Sequence, residues 1–167
     1  MVANPAVTGY TTQDLIDKEL PLLKQTKPSF VTVQIGVNDY VQGVKAETFQ
    51  KNLLYILDAV QAQLSDRTKV LLVTIPDYGK TPTGARYGQP AESEAGIKRF
   101  NAIVMSEAKT RGLPVADIFS ISQRVTDDTS LIALDGLQPS GKQYTLWTDA
   151  IYGLVKPLLV PGTTSQN

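Results

Sequence analysis

Apolar positions along the chain group into short continuous runs separated by longer stretches of helical spacing. Phe30-Val31-Thr32-Val33-Gln34-Ile35 and Val70-Leu71-Leu72-Val73-Thr74-Ile75 stop abruptly at Gly36 and Pro76. Runs rich in β-branched residues with turn formers at their ends predict parallel strands covered on both faces. Leu113–Ile118 predicts a third strand. Val2–Val7 predicts a fourth, its Pro5 suited to a sheet edge.

Helices are predicted between these runs. Leu15, Ile16, Leu20 and Leu23 mark one over residues 12–25, capped by Thr11 or Thr12 and kinked at Pro21. Phe49, Leu53, Ile56, Leu57, Val60 and Leu64 form a single stripe over residues 46–64. Residues 92–111 use Ile97, Phe100, Ile103, Val104 and Ala108, with Gly112 as the stop. A last helix over residues 140–159 starts at Ser140. The alternation β-α-β-α-β-α-β-α predicts a three-layer α/β/α sandwich around a mainly parallel sheet. Residues 1–160 read as one domain and residues 161–167 as a polar tail. Working residues in such folds sit on loops beyond the carboxyl ends of the strands. Those loops are residues 8–12, 36–45, 76–93 and 127–139.

Composition narrows the chemistry. The 167 residues contain no cysteine and no histidine, which excludes thiolate metal sites, a cysteine nucleophile and an intact Ser-His-Asp triad from this chain alone. Lys and Arg number 16, as do Asp and Glu, so there is no basic footprint for nucleic acid. No apolar run is long enough to span a bilayer. Residues 1–5 lack the basic and apolar regions of a signal peptide. No cofactor fingerprint is present either: Walker A, G-x-G-x-x-G and G-x-S-x-G are all absent.

Three loops hold candidate chemistry. In Gly36-Val37-Asn38-Asp39 a short amide can aim its NH₂ at an oxyanion, although these residues also suit an ordinary strand-end turn. Asp135-Gly136-Leu137-Gln138-Pro139-Ser140-Gly141 places an acid three residues before an amide that cannot take a proton near neutral pH. The alternative there is a turn before a Ser-capped helix. Gly9 offers a backbone N–H at the end of the first run, or simply permits the turn. Tyr78, Tyr87, Tyr144 and Trp147 can line a pocket, the last two equally well packing the final helix. Asp127-Asp128 reads as a solvated loop.

Taken together, these segments resemble the SGNH (GDSL-type) hydrolases, a family of esterases and lipases, along nearly the whole chain. Residues 6–12 look like its second block, Ile35-Gly36-Val37-Asn38-Asp39 like its G-x-N-D block, and residues 135–141 like its D-x-x-H-P-S block. The resemblance implies a flavodoxin-like fold, Gly9 and Asn38 as oxyanion donors, Asp135 as the acid, and Asp39 and Tyr78 near the substrate. It implies a small ester or an acylated carbohydrate as ligand and no cofactor.

Two departures qualify it. Nothing resembles the first block, G-D-S-L, which carries the family's nucleophilic serine, and Gln138 stands at the position of its histidine. The expectation is therefore a chain short of one β-α unit, with Met1 standing at an internal position. Its sheet would have a gap where the first-block strand belongs. Either Val2–Val7 pairs directly with Phe30–Ile35, or another chain fills the gap, or the domain is marginal. As a function, ester hydrolysis by descent, with little or no activity in this chain, competes with a non-catalytic domain. The latter would bind a carbohydrate, an acyl ligand or a protein partner. A flavodoxin-like phosphate binder is a third reading, lacking its Gly-rich loop.

Overall fold

The computed structural model describes residues 3–159. Three parallel strands form the sheet in the order β1 (Val31–Val33), β2 (Val70–Val73), β3 (Val115–Ala116). Helix α1 (Thr12–Asp14), one π turn (Leu15–Glu19) and α2 (Leu20–Thr26) run on continuously before β1. Then come α3 (Val37–Val41), α4 (Ala46–Gln63), α5 (Pro90–Arg111), α6 (Phe119–Ser122) and α7 (Gly141–Leu159). The tail predicted at residues 161–167 lies outside the described residues.

Alternation along β2 builds the layers. Val70 and Leu72 point into a core with Phe49, Leu53, Ile97 and Phe100 of α4 and α5. Leu71 and Val73 point the other way, against Ile118 and Trp147. Successive strand residues face opposite sides, so a strand apolar at every position needs helices on both. The result is the expected α/β/α sandwich.

The strands are shorter than the apolar runs, because side chains take over their last ladder positions. Thr74 Oγ1 accepts the N–H groups of Ile118 and Phe119 at 2.9 and 3.0 Å, ending β3. The Asn101 amide clasps both backbone groups of Ile75, at 2.7 and 2.8 Å, ending β2. Where a kink is expected at Pro21, the helix carries a π turn just before it. Leu20 N–H bonds Leu15 O five residues back, and the proline sits in the first turn of α2, where no N–H is required. Thr11 proves to be the cap of α1, in a capping box with Asp14. Gly112 ends α5 in the left-handed conformation.

The strand expected over Val2–Val7 is not formed: Ala3–Val7 run without ladder pairing, and Val2 lies outside the described residues. Pro5 has no N–H to give, Ala6 N–H turns to Asn4 Oδ1, and Val7 O accepts Tyr10 N–H in a turn. Ala3–Val7 therefore do not pair directly with Phe30–Ile35. The outer edge of β1 has no strand partner among the described residues.

Gly36 joins β1 to α3 with φ at 123°. A Cβ there would lie 2.6 Å from Phe49 Cε2 and 2.7 Å from Ile75 Cδ1. Backbone strain and overpacking add, so Gly36→Ala is expected to lower unfolding free energy by about 2–4 kcal/mol. Urea denaturation checks this, and an unchanged midpoint would contradict the packing described.

Candidate active site

Two of the predicted loops meet through paired hydrogen bonds. After β1 the chain turns at Gly36 into α3, placing Asn38 and Asp39 in its first turn. Asn38 Nδ2 donates to Tyr10 O at 3.0 Å, and Gln42 Nε2 reaches Gly9 O at 3.4 Å. Gly9 itself has φ at 91° with open space around its missing side chain, and its N–H donates no hydrogen bond among the described residues. An amide nitrogen has two protons, and Tyr10 occupies one from Asn38.

Gly9, Asn38 and Gln138 line one cavity of about 250 Å³ beyond the carboxyl ends of β1 and β2. Its walls are largely apolar, with Val37, Val41, Tyr78, Tyr87 and Leu137 among them. Tyr78 and Tyr87 meet edge to face, centroids 6.1 Å apart, and burial pushes the Tyr78 phenol up from its ordinary value. A second cavity, about 280 Å³, adjoins the end of β1 and is lined by Val7, Gln34, Ile35 and Trp147. Asn38 and Gln138 border both. Trp147 packs the final helix against the sheet, yet its buried Nε1–H has no partner among the described residues.

Residues 132–139 form a hairpin-like loop closed by an Ile132–Pro139 bridge and tied to Thr83 through Gly136 O and Asp135 O. Asp135 is exposed. Its Oδ1 accepts the N–H groups of Leu137 and Gln138, both at 2.9 Å, and these bonds hold its carboxyl below the usual range. The acid thus orients the backbone of Gln138 and does not bond its side-chain amide. Asp39 departs further from the expectation of a substrate contact. It is 1% exposed, lines neither cavity, and turns its carboxylate to Thr12.

Other groups at the cleft escaped sequence reasoning. Asp77 is buried beside it, accepting Gly79 N–H and Gln123 Nε2, both at 2.8 Å. Gln143 is buried and donates to Leu131 O at 3.1 Å. Its position on the sheet-facing side of α7 was the available signal. Asp128 caps the turn at Ser130 and pairs with Lys142 at 2.7 Å, which lowers its carboxyl to about 2 from 3.8. A depressed acid stabilises the fold above its unfolded value and loses that contribution as pH falls toward the folded one. Lys142→Ala is therefore expected to move the Asp128 midpoint upward toward 3.8, as carboxyl NMR titration would register. Among the described residues no three His, Cys, Asp or Glu gather as a metal site, and no helix is long and apolar enough to cross a membrane.

A parallel sheet between helix layers, with a glycine turn and a G-x-N-D helix converging on one cleft, is the architecture of an SGNH-type hydrolase. The chain belongs to the GDSL-like lipase/acylhydrolase family, whose model matches residues 1–146. It is 27% identical over 141 residues to a multidomain esterase of Ruminococcus flavefaciens, covering 80% of this chain and 17% of that protein. It is 26% identical over 161 residues to esterase TesA of Pseudomonas aeruginosa, covering 95% of this chain and 71% of that one. In fold it matches the lipase/acylhydrolase from Enterococcus faecalis with a TM-score of 0.74 at 24% identity, over 93% of this chain and 75% of the other.

Proposed function

We propose that this chain carries the oxyanion-binding part of an ester-hydrolase site and takes a small or medium acyl or acetyl ester in the 250 Å³ cleft. As these 167 residues it turns that ester over little or not at all. The convergence of Gly9 and Asn38 on one apolar-walled cleft carries the reading. In acyl transfer the carbonyl oxygen gains negative charge, and N–H donors already in place stabilise it without reorganisation. Gly9 N–H and the second Asn38 amide proton have no partner among the described residues, which leaves them for that task. Apolar walls at Val37, Val41 and Leu137 suit the acyl side of the ester. The ester chemistry in the names of the relatives agrees with this class of substrate.

Turnover needs two further groups. The G-D-S-L serine is not in this sequence, and Gln138 cannot accept a proton. Gln138 also supports a second reading, a non-catalytic domain that binds an acyl ligand, an acetylated carbohydrate or a protein partner. Its side chain is exposed where the two cavities meet and makes no hydrogen bond within the described residues, leaving it for a ligand.

The test is a paired measurement. With p-nitrophenyl acetate the chain is expected to show no burst, and a serine-directed phosphonate should leave it unlabelled. Calorimetric titration with short-chain acyl esters and acetylated glycans is expected to give heat that Asn38→Ala removes. A burst with labelling would overturn the lack of turnover. Silent titrations throughout would overturn ligand binding at the cleft.

A further inference from the structure

We infer that Asp39 is a positioning residue that sets the spacing between the two oxyanion donors, an inference that rests on the ester-hydrolase reading above. Its carboxylate is buried and turned away from the cleft, so it does not touch substrate. It grips a single residue of the opposite loop twice. Oδ2 accepts Thr12 N–H at 2.8 Å, and Oδ1 accepts the Thr12 hydroxyl at 2.5 Å. Thr12 is fully buried and lies three residues after Gly9, while Asp39 directly follows Asn38. Each loop therefore offers one donor to the cleft and one residue to the clasp behind it.

Surrounding groups make the clasp stiff. Asn52 Nδ2 on α4 donates to Thr12 Oγ1 at 3.0 Å, orienting the hydroxyl so that its proton goes to Asp39. Asp39 O accepts Val44 N–H at 2.8 Å, which anchors the far end of α3. On the cleft side the same two loops are joined by Asn38 Nδ2 to Tyr10 O. Burial pushes the Asp39 carboxyl up, against the pull of the Thr12 bonds. Such a carboxylate is a costly choice for mere stability, since an uncompensated buried charge is unfavourable. A charged acceptor of two hydrogen bonds does hold geometry more tightly than a neutral one. A displacement of about 1 Å in a catalytic group can cost about 100-fold in rate, so the spacing matters.

The test uses the ¹⁵N-labelled chain and needs no turnover. In the ligand-free protein, NOEs from the Asn38 side-chain amide to Tyr10 report the register of the loops. In a second arm, butyrate is titrated as a carboxylate stand-in for the oxyanion, and the shifts of Gly9 N–H and the Asn38 amide are followed. Asp39→Ala is expected to lose the NOEs and to weaken butyrate about tenfold or more, whereas the core variant Ile56→Val, destabilised elsewhere, should keep both. Asp39→Asn retains one acceptor for Thr12 N–H and should fall between. It also decides the matter if the alanine variant does not fold. Wild-type NOEs and wild-type butyrate affinity in the folded Asp39 variants would overturn the inference. If the unaltered chain gives no butyrate shift at Gly9 or Asn38, the oxyanion reading fails, while the NOE arm still judges the clasp.

Discussion

Gln138→His, made in a protein that also carries a G-D-S-L turn ahead of residue 3, is expected to raise ester hydrolysis by about 10⁴-fold or more over the same protein with Gln138, since loss of a triad base typically costs at least that much. Asp135 would be the partner of that histidine. Asp135 spends Oδ1 on the N–H groups of Leu137 and Gln138, which fixes the loop, while Oδ2 has no hydrogen bond among the described residues. A histidine at position 138 can donate Nδ1–H to that oxygen, leaving Nε2 as the base. The serine Oγ then bonds to the ester carbon as its proton passes to Nε2 and the carbonyl electron pair moves to oxygen, facing Gly9 and Asn38. Collapse expels the alcohol with that proton, and water cleaves the acyl-serine by the same route. The added strand has a place to lie, since the outer edge of β1 has no strand partner among the described residues and the 280 Å³ cavity adjoins its end. Burst kinetics with p-nitrophenyl acetate and phosphonate labelling measure the outcome. No burst and no labelling in the combined variant would refute descent of this site from a working esterase.

Phe49→Ala is expected to destabilise the fold by about 3–5 kcal/mol, a large share of the roughly 5–15 kcal/mol a domain possesses. The ring is fully buried and stacks on Phe100, centroids 4.4 Å apart with 14° between planes. It also fills the space that Gly36 leaves, so its loss opens a void under the turn that carries Asn38. A rigid core cannot close such a void fully, and the residual cavity adds to the lost transfer energy. For a chain of this length the melting temperature should fall by about 10 °C, as calorimetry would show. A drop of less than about 1 kcal/mol would mean that α4 does not pack under the Gly36 turn as described.

Much of the architecture was legible because its signals are local. The stripe on residues 46–64 became α4, and the two apolar runs became β1 and β2, each beginning within a residue of its run and ending early. The early ends of β2 and β3 come from Asn101 and Thr74, polar side chains whose partners lie 26 and 44 residues away. No window of sequence displays such pairings. Val2–Val7 has strand composition, yet composition does not supply a neighbour to pair with, and Pro5 removes a donor.

The same division holds at the site. Residue types alone determined the candidates: a glycine turn, an asparagine after a strand, an acid three positions before Gln138, and no histidine anywhere. Tertiary structure decided which way each one faces. Asp39 looked like a substrate contact beside Asn38, but one residue along a helix rotates a side chain by about 100°. Asn38 therefore borders the cleft while Asp39 points into the core at Thr12, 27 residues distant. Chemistry is a property of a residue and can be read in order along the chain. Facing and partnership are properties of packing, which brings together loops whose sequences carry no record of each other.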